Sequence, residues 1–196
     1  MKLSLPREAG RPQRAQDGVE APSDEDLAAV ARSDPLAFAP LYERYVNRVY
    51  RFCYARLGER QAAEDAAGEV FLRAFANLRR FQGGVFAAWL YKIARNIVID
   101  HVRQRHPSAP LDDTSRIPPG QVADGGDEQR GALLAAMAEL PDEQRNVLEL
   151  QFAGWSGAQI AAALGKSPAA VRMTRHRAVK RLEKLLNPKR RAQGGN

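Results

Sequence analysis

Residues 156–186, SGAQIAAALGKSPAAVRMTRHRAVKRLEKLL, decide the fold class of the C-terminal half. Ser156 followed three residues later by Gln159 forms a capping-box signature, and the helix it opens turns Ile160 and Leu164 inward. Gly165 stands where a helix ends in the left-handed conformation. Ser167 and Pro168 then supply an N-cap and a first-turn proline, so a second helix begins after a turn of two or three residues. Small Ala161 permits a close crossing, and Val171 fills the angle between the two helices. The spacing predicts a helix-turn-helix. At about 100° per residue, Val171, Thr174, Ala178, Leu182 and Leu185 share an inward arc on the second helix. The opposite arc carries Ala169, Arg172, Met173, His176, Arg177 and Lys180. That composition suits a helix laid in a DNA major groove, where arginine pairs with guanine in bidentate fashion and Lys180, Arg181 and Lys184 meet phosphates. A solvated charged face is the plain alternative.

Charge is segregated around this element. Segment 166–191 holds ten Lys or Arg against Glu183 alone, whereas segment 127–153 holds six acids against Arg130 and Arg145. In a chain of 196 residues with net charge +7, this places a basic face opposite a polyanion. The single cysteine, Cys53, excludes an internal disulfide, and with His101, His106 and His176 it provides no zinc-site spacing. No metal, cofactor or catalytic residue is expected, and neither a P-loop nor a nucleophile elbow is present. The longest apolar stretch, 85–99, is interrupted by Lys92, Arg95 and Asn96, and Pro6, Arg7 and Glu8 exclude a secretion signal at the start. A cytoplasmic protein without membrane insertion is expected.

Upstream, three stripes of helical period predict three mutually burying helices. They run through Phe38, Leu41, Tyr42, Tyr45, Val49, Phe52 and Cys53, then from Ala63, Ala66, Ala67, Val70, Phe71 and Ala74 to Phe75 and Leu78, then through Phe86, Leu90, Ile93, Ala94 and Ile97. A further helical pattern through Leu133, Leu134, Met137 and Leu140 breaks at Pro141 and resumes at Val147, Leu148 and Phe152. No segment alternates with period two, so the fold class is all-α, in two small helical domains joined by a flexible linker. The expected boundaries are a disordered tail at 1–22, a first domain at 23–106, a Pro/Gly-rich linker at 107–130, a second domain at 131–187 and a basic tail at 188–196. On the third helix Trp89, Lys92, Asn96 and Arg103 form a second face, an aromatic among cations and amides, as single-stranded nucleic acid requires. A lone tryptophan fits the core equally well. The preceding helix bears Glu64, Asp65 and Glu69, a docking face for a basic partner or a solvated one.

AEDAAGEVFLRAF at 63–75 and FAAWLYKIARNIVIDHVRQR at 86–105 resemble region 2 of the extracytoplasmic-function sigma factors of bacterial RNA polymerase, a subfamily of the sigma-70 family. LPDEQRNVLELQFAGWSGAQIAAALGKSPAAVRMTRHRAVKRL at 140–182 resembles region 4 of the same family. Two departures stand out: Gly68 replaces the family's usual glutamine, and the stretch 81–89 is about one residue shorter than the commonest form. The resemblance implies a subunit, not an enzyme, that binds core RNA polymerase at the β′ clamp helices and the β flap. It would direct the polymerase to the −35 and −10 elements of promoter DNA and help open the duplex. By position, Asp65, Glu69 and Phe71 would contact core polymerase; Gln82, Gly83, Gly84, Val85, Trp89, Lys92, Asn96 and Arg103 would act at −10; Arg172, Met173, His176, Arg177, Lys180 and Lys184 would act at −35. It further implies an anti-sigma partner and a chain that is monomeric when free. The rival reading is a stand-alone helix-turn-helix regulator that binds an operator without core polymerase.

Overall fold

The computed structural model describes residues 21–105 and 128–187, with side chains from 131 onward in the second part. Nearly all of the expected tails and linker lies outside the described residues. Among the described residues every regular element is helical. The first unit comprises α1 (Asp24–Val30), α2 (Ala39–Leu57), α3 (Arg60–Ala76) and α4 (Phe86–Arg105); the second comprises α5 (Glu128–Ala138), α6 (Asp142–Phe152), α7 (Gly157–Leu164) and α8 (Pro168–Leu186).

The predicted stripes account for the first unit. Leu41, Tyr45, Val49, Phe52 and Cys53 of α2 meet Ala63, Ala66, Ala67, Val70 and Ala74 of α3, and the small alanines let the two helices approach closely. Gly58, at φ 70°, adopts the left-handed conformation that ends α2, donating its N–H to the Tyr54 carbonyl. Ser23 caps α1 by accepting the Asp26 N–H, and Asp24 accepts both a guanidinium N–H of Arg44 and the Tyr45 hydroxyl. Burial and the neighbouring Asp24 push the Tyr45 hydroxyl well above the ordinary tyrosine range.

The helix-turn-helix forms as the caps predict. Ser156 and Gln159 make both capping-box hydrogen bonds, Gly165 sits at φ 64°, and the Ser167 hydroxyl accepts the Ala170 N–H at 3.1 Å. Val171, Thr174, Ala178 and Leu182 are buried. Arg145 ties the end of α5 to α6 by donating to the carbonyls of Met137, Ala138 and Leu140.

The two units are packed together rather than held apart. Val147, Leu150, Trp155, Ile160 and Ala161 of the second unit join the same hydrophobic core as α2, α3 and α4. Leu148, Ala178, Leu182 and the end of α5 form a smaller core of their own. This explains why α4 buries Ala87, Tyr91 and Val98 in addition to its predicted stripe: α7 and the turn before it cover a flank that the periodicity alone leaves to solvent.

Candidate nucleic-acid interface

Three outward faces result. On α8, Arg172, Met173, His176, Arg177, Lys180 and Lys184 are all exposed, and among the described residues none of these cations is in an ion pair. The helix is positioned from beneath by Glu143 at the start of α6. Glu143 pairs with Lys166 in the turn at 2.8 Å and accepts the Thr174 hydroxyl at 3.1 Å. Those hydrogen bonds from Lys166 and Thr174 hold the Glu143 carboxyl below its ordinary range. Neither Glu143 nor Lys166 stood out in the sequence, because their pairing spans the turn.

On α4, Trp89, Lys92, Asn96 and Arg103 fall within about 60° of one another around the helix axis. Lys92, Asn96 and Arg103 are exposed, and Trp89 is partly buried. Its ring leans on Phe81 and Phe86, with centroids 5.4 and 5.7 Å away, leaving the remainder at the surface. Trp89 is therefore neither a core residue nor a free one. Gln82, Gly83, Gly84 and Val85 form an exposed loop beside it, with Gly83 and Gly84 at φ 108° and 85°. Two features escaped the sequence reading. Glu25 of α1 accepts the Phe86 N–H at 3.0 Å, so the short first helix caps α4 and anchors this loop. Arg79 and Arg80, just ahead of Phe81, are exposed and add cations to the same end of α4.

The α3 face brings its expected residues to the surface unequally. Asp65 is exposed and accepts an N–H of Gln61, and Glu69 is partly exposed but engaged by Arg73 and by His101 across to α4. Phe71, a member of the predicted burying stripe and by resemblance also a contact for core polymerase, is only 6% exposed and lies edge-on against Tyr42 at 4.8 Å, which agrees with the stripe. Its direction on α3 is about 100° away from Leu72, which is 73% exposed and lies between Asp65 and Gly68 on the outward face. Leu72 and half-exposed Phe75 are the exposed large apolar side chains of α3. A side chain at Gly68 would meet nothing within 4 Å, so packing does not demand glycine there.

Residues 41–107 match Sigma-70 region 2, and residues 130–182 match Sigma-70, region 4. The chain is 33% identical to the ECF RNA polymerase sigma factor SigW of Bacillus subtilis, over 64% of this chain and 75% of that protein. It is 34% identical to the ECF RNA polymerase sigma factor BldN of Streptomyces coelicolor, over 76% of this chain but 60% of that protein. It is also 34% identical to the RNA polymerase sigma factor CarQ of Myxococcus xanthus, over 76% of this chain and 89% of the relative. Among solved structures, CnrH in complex with the cytosolic domain of CnrY is similar at 25% identity and a TM-score of 0.58, covering 84% of this chain and 97% of that one. The fold is shared as well with the sigma factor RpoE in complex with the anti-sigma factor NepR from Bartonella quintana, at 24% identity and a TM-score of 0.56, over 76% of this chain and 96% of that one.

Proposed function

The chain belongs to the extracytoplasmic-function group of the sigma-70 family of RNA polymerase sigma factors, and we propose that its three outward faces divide the work of promoter recognition. The face of α3 centred on Leu72, with Asp65 and Glu69, docks on the β′ clamp helices of core polymerase. Apolar burial supplies affinity there, and the carboxylates select a basic partner. The second unit docks on the β flap. The outward arc of α8 enters the −35 major groove, with Arg172 and Arg177 at base edges and Lys180 and Lys184 on phosphates. Trp89 stacks on a base freed from the −10 duplex, while Lys92, Asn96, Arg103 and the 82–85 loop follow its backbone.

The observation that carries this reading is that one chain exposes two separate cationic faces, the outward arc of α8 and the α4 face beside Trp89, the first suited in this reading to duplex and the second to an unpaired strand. A stand-alone regulator needs only the first. The chain performs no chemistry of its own in this reading, since phosphoryl transfer belongs to polymerase. It works in the cytoplasm, as a monomer when free; among the described residues no helix is long and apolar enough to cross a membrane. An anti-sigma partner follows from the same resemblance, and the similar CnrH is solved in complex with the cytosolic domain of CnrY. Run-off transcription from a genomic library with purified core polymerase, with and without the protein, tests the reading. Discrete protein-dependent transcripts are expected. Tight, site-specific DNA binding by the protein alone, without such transcripts, would return it to the regulators.

A further inference from the structure

The end of α4 that carries Trp89 belongs to a stretch without acids. Between Glu69 and Asp100 the chain holds Arg73, Arg79, Arg80, Lys92 and Arg95 and no Asp or Glu. The fold nevertheless brings a carboxylate there from α1, where Glu25 accepts the Phe86 N–H at 3.0 Å. Electrostatics alone argues against an acid in that place, because it repels the same phosphates that the neighbouring cations attract. Its presence needs a positional reason.

Two routes run from α1 to Phe86. The first is the backbone. Val85, just before α4, has no side-chain acceptor, so Glu25 supplies what the first-turn N–H of Phe86 lacks locally. Val85 in turn accepts the Trp89 N–H at 3.3 Å, and Gly83 and Gly84 precede it at φ 108° and 85°. Two adjacent glycines give the loop wide conformational freedom, and the hydrogen bond to Glu25 fixes its far end. The second route runs through rings. Asp24 accepts the Tyr45 hydroxyl and is itself held by Arg44 at 2.7 Å. The Tyr45 ring lies edge-on to Phe86, centroids 5.6 Å apart, and Phe86 meets both Phe81 and Trp89 at 5.7 Å. Phe86 is fully buried, so a shift along either route is passed on to the Trp89 ring.

We infer that α1 is a positioning element of the −10 site: Glu25 and Asp24 set the pose of Phe86, and through it the 82–85 loop and the Trp89 ring, before an unpaired base arrives. A loop already held in its binding pose loses less freedom when the strand binds. The inference rests on the sigma-factor reading and extends it to a segment ahead of residues 41–107, to which the region 2 match assigns nothing.

Charge and position give opposite signs for Glu25→Ala. Loss of a repelling charge would raise strand binding, whereas loss of the anchor should lower the open-complex population by roughly 2- to 30-fold, the effect of a lost cap. Glu25→Gln loses the charge but keeps an acceptor oxygen, so it should open a promoter at least as well as wild type. Asp26→Ala removes an acid of α1 that binds Ser23 and not Phe86, and should also open as wild type. Glu25 is exposed and α1 is held by buried Leu27 and Ala28, so all three variants should keep their helical content.

Opening is read as permanganate reactivity of −10 thymines, with holoenzyme formed from the full chain and core polymerase, on a duplex promoter found by run-off transcription. In a Trp89→Leu background the ring that Glu25 positions is gone, so Glu25→Ala should cost less there than in the wild-type chain. An Ala variant that opens as well as wild type, a Gln variant that falls as far as Ala, or an equal loss in the Trp89→Leu background overturns the positioning role and leaves the sigma-factor reading intact. A wild-type chain that opens no promoter with core polymerase overturns that reading, and the inference with it.

Discussion

Replacing Trp89 by Leu separates its two roles, because leucine retains apolar contact with Phe81 and Phe86 but offers no ring to a base. On the protein side, two aromatic pairs at 5.4 and 5.7 Å are lost, together about 1–3 kcal/mol. That is below the roughly 3–5 kcal/mol of truncating a fully buried tryptophan and within the reserve of an ordinary domain. The variant should fold, with its urea midpoint lowered accordingly. On the DNA side the loss is one base–aromatic stack, also about 1–3 kcal/mol, or roughly 5- to 150-fold in open-complex population. This second loss appears only when a base is unstacked. Trp89→Leu should therefore form closed complexes normally yet leave −10 thymines of a duplex promoter poorly reactive to permanganate. A template mismatched across −10 should recover most of that reactivity, and Trp89→Phe should open nearly as wild type. If Trp89→Leu opens the duplex like wild type, or if the Leu and Phe variants lose opening in proportion to their stabilities, stacking by Trp89 is wrong.

The other faces give sharper contrasts between neighbouring residues. Leu72→Asp should abolish most core-polymerase binding with unchanged circular dichroism, whereas Phe71→Ala should cost about 3–5 kcal/mol of stability in urea unfolding. Arg172→Ala or Arg177→Ala should cost roughly 1–3 kcal/mol at particular −35 base pairs, while Lys184→Ala weakens all sequences alike and lowers the salt slope of binding by about one. Glu25→Ala should remove about 1 kcal/mol through the lost Phe86 cap and raise hydrogen exchange in the 82–85 loop before it affects the second unit.

What was legible in the sequence is what local rules determine. The capping box at Ser156, the left-handed Gly165 and the Ser167–Pro168 start each depend on residues within a few positions, and all three fixed the outward arc of α8 before any contact was known. The α4 face was equally legible, because four residues on one helix share a direction whatever the helix packs against. Phe71 carried two expectations, a place in the burying stripe from periodicity and a polymerase contact from resemblance; its burial against Tyr42 of α2 agrees with the first, and exposed Leu72 points about 100° away from it. Glu25 and Glu143 were invisible as positioning residues because each acts on an element far along the chain. The docking of the second unit was the largest omission. Trp155 and Tyr91 follow no distinctive period, and a buried Arg56–Glu149 pair has the same sequence signature as two surface charges.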